Sequence, residues 1–336
     1  MNFDVVMPLT LFLVTIAAML LNGKAERKLK GVLEEKQFRT RDAVLLVASV
    51  GVTISLIVFI PQLAIMIIFL FSYSMLLFIF GYLFSDMKKT RTELFLAAFI
   101  MGGLVAGAAR FFVFGQVENA LYGVLAFLAL SIFTFAALVY ETRRTSFAER
   151  WYVAVLPPAL FICLYLFFRG TPIWFPYLLD SYGVVFAVLI ILYLGSLFTW
   201  KTTLVFAALL TVVDIVLVLF TGSMVSAATT VLKLRLPVLV SLPTFPTILL
   251  DLEGNRLPMS LGLGDFFFAG LLTIQTYKKY GKRTAVLSAL AMTISFFIFE
   301  ALLLTFGPTP FPGTLMIICG WLLLVVPKSL KKMLAG

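Results

Sequence analysis

Long apolar runs recur from one end of this chain to the other, and that feature decides what it can fold into. A helix of about 20 residues, rising 1.5 Å per residue, crosses roughly 30 Å of hydrocarbon. Eleven segments of this kind are legible, at about 5–22, 43–60, 62–84, 94–114, 120–140, 152–168, 174–199, 202–220, 259–276, 284–306 and 312–326. Soluble domains are about 45–50% apolar and about 25% charged. Here the values are 62% and 12% over 336 residues, so a water-soluble fold is excluded. The expected fold is an all-α polytopic transmembrane bundle of about eleven spans, one membrane-embedded domain over residues 1–336.

Charge placement gives the orientation. The first segment follows MNFD, with no leading positive charge, and a basic cluster rather than a small-residue cleavage site comes after it; it reads as a retained anchor. With the N terminus outside, 21 of the 26 basic residues fall in inner loops and four in outer ones (Arg169, Lys233, Arg235, Arg256), with Arg110 inside a segment. Basic residues favour the inner side, so the expectation is N terminus outside and C terminus inside. The same asymmetry explains the net charge of +10 without nucleic acid as a partner. One long loop, 221–258, lies outside. It holds VSAATTVLKL, readable as a short interfacial helix, and LPVLVSLP, a proline-bounded β-prone run.

There is no histidine, and Cys163 and Cys319 lie alone in apolar runs. A zinc site, a Ser-His-Asp triad and a Cys-His dyad are unavailable, and no cofactor is expected. Carboxylates remain. An aspartate in mid-span costs about 2.5–3.5 kcal/mol unless the protein houses it. Asp214 (LLTVVDIVLVLF) and Asp265 (LGLGDFFFAG) stand about six residues from the outer ends of neighbouring antiparallel segments. At equal depth they can face one another and share a proton. Such a pair serves as a hydrolytic dyad, or as an ion relay in a transporter or channel. Gly262 and Gly264 flank Leu263 just before Asp265, where absent side chains let another backbone approach.

GLGDFFFAG resembles the GxGD motif of the presenilin and signal peptide peptidase family of intramembrane aspartyl proteases. The stretch from SYGVVFAV through TLVFAALLTVVDIVLVLFTGSMVSAATTVLKLRLPVLVSLP is similar to the signal peptide peptidase branch. The likeness covers about residues 174–280 and implies Asp214 and Asp265 as catalytic pair, with Gly262, Leu263 and Gly264 in the motif. It implies a catalytic half over 174–336, scaffold helices over 1–173, and membrane-spanning peptides or remnant signal peptides as substrates. A prepilin-type peptidase also uses GxGD, but it has fewer spans and cuts near the inner face.

The chain departs from the family in three places. Val213, not tyrosine, precedes Asp214. The nearest match to the Pro-Ala-Leu motif is Pro310-Phe311-Pro312, followed by Gly313 and Thr314. The family core has nine spans, and residues 94–168 hold three where one is expected. These departures keep a catalytically silent, segment-binding member in view. An extended substrate can add as a strand to an open edge. Residues 234–243, with Leu234, Pro237 and Val238, and the stretch before Asp265 are candidates for that edge. Glu300 and Arg110 lie in apolar runs, and Asp180 near the outer surface reads as a helix cap. The expected location is a prokaryotic plasma membrane, or the endoplasmic reticulum membrane in a eukaryote, with the lipid bilayer as the other partner.

Overall fold

A computed structural model describes residues 2–32, 37–85, 151–171, 173–248, 258–307 and 310–334, with isolated positions between 93 and 139. The segments expected at 94–114 and 120–140, and Arg110, lie outside the described residues but for scattered positions. The elements are α1 (Val6–Val32), α2 (Thr40–Leu56), α3 (Gln62–Leu83), α4 (Trp151–Phe168), α5 (Leu179–Leu197), α6 (Trp200–Ile215), α7 (Ser223–Leu234), β1 (Leu239–Pro243), β2 (Pro258–Gly262), α8 (Leu263–Tyr280), α9 (Lys282–Phe306) and α10 (Gly313–Leu334). Residues Ile173–Leu178, kinked at the extended Phe175 (φ −111, ψ 125), precede α5, and a wider π-helical turn extends α6 at Val216–Phe220. Among the described residues five stretches are long and apolar enough to cross a membrane: Val6–Lys30, Gln62–Leu83, Ile173–Leu197, Trp200–Phe220 and Lys282–Phe306.

The chain divides into two compact units, residues 1–65 with 178–336, and residues 66–177. Met7, Leu11, Val14 and Ala18 of α1 are buried, and α1 packs on α5, α8 and α9, so the first helices belong with the aspartates.

In the larger unit α8 is the central helix, with every residue from Phe266 to Thr276 buried. Helices α1, α5, α6, α9 and α10 pack around it. Outer faces are apolar: Leu20 is 60% exposed, Val212 59% and Phe306 84%. Thr273, Gln275, Thr276 and Ser288 are buried instead. This inversion of the soluble pattern suits lipid, which accepts apolar surface and leaves polar groups to find partners inside. Gln275 Nε2 donates to the carbonyls of Gly195 (3.3 Å) and Phe198 (2.8 Å), which α5 leaves unpaired at its end. Trp321 Nε1 on α10 donates to Thr276 Oγ1 at 3.0 Å. At the basic end, Glu26 pairs with Lys278 (3.1 Å) and Lys30 (3.3 Å).

The described part of the 221–258 loop folds as its sequence suggests. VSAATTVLKL lies in α7, entered from Gly222 at φ +64, a left-handed conformation that glycine adopts without strain. LPVLVSLP supplies β1, paired antiparallel with β2 so that Leu239 faces Gly262 and Ser241 faces Ser260. The Leu263 N–H donates to the Val238 carbonyl at 2.9 Å. Pairs therefore alternate from there, and Val240 and Leu261 exchange ladder bonds while Ser241 and Ser260 turn their backbone groups outward. Asp180 fills that outward position on β1: its Oδ1 accepts the Ser241 N–H at 2.7 Å. The residue read as a helix cap thus fastens the hairpin to α5. Asp180→Ala should lose about 1.5–3 kcal/mol, the range for a hydrogen bond to a charged group, while Asp180→Asn keeps an acceptor and most of the stability. Thermal unfolding in detergent measures both.

The loop is also held from the N terminus. Asp4 caps α1, accepting from Val6 N (3.1 Å) and Met7 N (3.0 Å), and its Oδ1 accepts Phe245 N at 2.8 Å. In the smaller unit, α3 and α4 approach closely where a methyl on Gly81 would lie 3.1 Å from Ala154 Cα. Tyr73, Phe161, Tyr165 and Trp174 stack beside that crossing.

Candidate active site

Asp214 lies in the last turn of α6, which starts from a Thr199–Thr202 capping box. Beyond Ile215 the helix widens into the π turn, a departure from regular geometry common beside functional groups. Asp265 lies in the first turn of α8. The sequence reading had put it about six residues into a span. The preceding residues instead form β2, because Gly262 is extended (φ −69, ψ 146) and the helix starts only at Leu263.

The two aspartates meet at the start of α10. Thr314 donates to Asp214 Oδ2 twice, from its hydroxyl at 2.6 Å and its backbone N–H at 3.2 Å. Next along the chain, a methyl built on Gly313 would lie 2.6 Å from Asp265 Oδ1 and 2.8 Å from its Cγ. Consecutive residues thus touch one carboxyl each, and the carboxyls act on one another electrostatically. Asp214 is buried, and Asp265 is partly exposed. Both stand at the positive end of a helix, Asp265 in α8 and Asp214 against α10.

The GxGD glycines have distinct surroundings. A methyl on Gly262 would lie 3.2 Å from Asp265 Oδ2, closer than most side chains tolerate. Gly264 has nothing within 4 Å of that position and is exposed, so the backbone just before Asp265 is open to approach. Leu263 is buried. No family model matches the chain, and no curated protein matches it.

Among the other expected residues, Pro310 is exposed, and Phe311 stacks on Phe299 of α9 at 5.7 Å between ring centres. Pro312 is buried at the head of α10. The residues that reach the aspartates are Gly313 and Thr314, just beyond the expected triplet. Their signal was present as a glycine and a hydroxyl opening an apolar helix after prolines, but only packing aims them. Leu234 ends α7, Pro237 is buried in a turn, and the Val238 carbonyl is taken by Leu263, so β1 offers no open backbone there. The opposite edge of β2 is different. Ser260 and Gly262 face outward with no strand beside them among the described residues. That edge leads directly to Asp265.

Val213 points towards α2, where a methyl on Gly51 would lie 3.3 Å from its Cγ1. It borders an apolar cavity of about 490 Å³ between α2 and α6, whose walls include Ser55, Val212 and Val216. Gly313→Ala should cut any activity of the aspartate pair about a hundredfold or more, the scale expected for a misplacement of about 1 Å. The added methyl displaces the Asp265 carboxyl, which can swing away, so the unfolding temperature should stay near wild type. Rate and melting curve on one preparation check this.

Proposed function

We propose that this chain is an intramembrane aspartyl protease of the GxGD type that its sequence resembles. It would hydrolyse peptide bonds in transmembrane segments or remnant signal peptides, without a metal or organic cofactor. The observation that carries the reading is the meeting of Asp214 and Asp265 at Gly313 and Thr314, with an edge of β2 that has no strand beside it among the described residues leading to Asp265.

The chemistry follows from the pair. With one proton between them, the ionised carboxyl takes a proton from water, and the resulting hydroxide bonds to the substrate carbonyl carbon. The other carboxyl gives its proton to the carbonyl oxygen, forming a tetrahedral diol. The first carboxyl then protonates the leaving nitrogen as the C–N bond breaks, and the second recovers a proton from the diol. One water is consumed and the pair returns to its starting state.

Substrate geometry supports the same reading. A helical peptide hides its amides within its own hydrogen bonds, so it must be extended before attack. The Ser260–Gly262 edge can accept it as an added strand, with Gly264 leaving room at the aspartate. An ion relay would use the same carboxyls but has no need of a strand edge beside one of them. The proposed topology keeps the N terminus outside and the C terminus inside. It has eleven spans, nine of them forming the core of the family type, in a prokaryotic plasma membrane or, in a eukaryote, the endoplasmic reticulum membrane.

The test is incubation of the purified protein in detergent with a terminally tagged transmembrane peptide. Cleavage blocked by a peptide with a hydroxyl isostere of the tetrahedral intermediate is the expected result. Folded protein that cleaves nothing, yet passes ions when reconstituted in vesicles, would replace the protease with the relay. Peptide binding without cleavage or flux would make it a silent binder.

A further inference from the structure

We propose that Thr314 is a positioning residue that makes the aspartate pair unsymmetrical, holding the negative charge on Asp214 and leaving the shared proton on Asp265. Its catalytic consequence rests on the protease reading; the proton assignment itself does not.

Two carboxyls close together and shielded from water hold one negative charge between them. Fixed hydrogen-bond donors then decide where it resides. Helix dipoles do not single out Asp214: Asp265 opens α8, whereas Asp214 meets the N terminus of α10 but lies in the last turn of α6, so the preference must come from the donors. The donors differ sharply. Asp214 Oδ2 receives both the backbone N–H and the hydroxyl of Thr314, and an amide N–H can only donate. The hydroxyl lies 2.6 Å from the same oxygen, close enough for a strong second bond to an ionised carboxylate. Among the described residues Asp265 receives the Gly262 backbone N–H alone and no side-chain donor, and the residue is partly exposed.

Thr314 also takes a place that its neighbours leave empty. Val213 brings no hydroxyl to the pair and faces α2. Thr314 is itself buried, so water does not compete for its hydroxyl. In the hydrolytic cycle Asp214 would then be the base that deprotonates water. Asp265, on the open side, would protonate the substrate carbonyl.

The test separates the two layers. In the Asp265→Asn background a single carboxyl remains, and its C=O stretch is followed against pH by infrared difference against the Asp214→Asn/Asp265→Asn protein. Adding Thr314→Val, which keeps the shape and removes the hydroxyl, should raise the titration midpoint by about one unit or more, and Thr314→Ser should restore it. An unmoved midpoint overturns the inference. On the otherwise wild-type chain, Thr314→Val should lower kcat about 10–100-fold with KM unchanged, and narrow the acid limb of the pH–rate profile. Thr314→Ser should recover most of the rate. Loss of rate equal in the Val and Ser proteins, with an unchanged pH profile, would make Thr314 merely structural. If wild type cleaves nothing, the protease reading fails, while the infrared titration still decides the proton assignment.

Discussion

Asp214→Ala and Asp265→Ala should each abolish cleavage of a tagged transmembrane peptide while leaving the fold intact. Each carboxyl performs two proton transfers per cycle, and neither can replace the other. Removing one member of such a set costs about as much as removing the whole, on the order of 10⁴-fold or more. The stability side is the discriminating part. Both carboxyls are confined within the helical bundle, where burying charge opposes folding. Asp265→Ala removes that cost and loses a single backbone hydrogen bond, from Gly262, so its unfolding temperature should stay at or above that of wild type. Asp214→Ala also strands the buried Thr314 hydroxyl, and its gain should be smaller. The measurement is product formation by gel or mass spectrometry beside a thermal melt of the same sample. Full activity in either variant would dissolve the dyad. Inactivity with a collapsed melting curve would show only that the residue supports the fold.

Gly320→Val should be the most damaging substitution outside the aspartates. A methyl built on Gly320 would overlap the Ala291 carbonyl and lie 2.8 Å from Met292 Cα, so the obstacle is the backbone of α9 itself. Side chains can rotate away from a crowded neighbour; a helix backbone cannot. Overpacking costs about 1–3 kcal/mol where side chains absorb it, and more where helices must separate. The crossing is also tied by Ser295 Oγ donating to the Met316 carbonyl at 2.7 Å. Prising α10 from α9 would withdraw Thr314 and Gly313 from the aspartates, so activity and melting temperature should fall together. Gly320→Ala should show the same losses on a smaller scale. A Gly320→Val protein that melts like wild type would contradict the close crossing of α9 and α10.

These experiments probe a site that the sequence marked only in part. Asp214 and Asp265 were legible because a carboxylate in an apolar run is expensive and calls for a use. Gly262 and Gly264 were legible because two glycines in one turn weaken a helix without visible return. Gly313 and Thr314 carry no such mark. A glycine and a threonine heading a helix are ordinary, and only the approach of α10 to α6 and α8 puts them against the carboxyls. Asp180 belongs with them, since its bond to Ser241 joins residues 61 apart in the chain. Which hairpin edge lies open depends likewise on β1 packing against α5.

The sequence by itself determined the environment of this chain: long apolar segments require lipid around them, and basic loops bias one side. It marked helix-length apolar runs, five of which among the described residues are long enough to cross a membrane, and it put strand and helix within residues 221–258. Tertiary structure decided what apolarity cannot encode. In lipid, apolar residues face outward and inward alike, so hydropathy does not say which helix is central or which neighbours which. Burial of α8, the partnership of α1 with the later helices, and the convergence of two aspartates on consecutive residues of α10 come from close packing of small residues. Those contacts depend on shape and directional hydrogen bonds, not on composition.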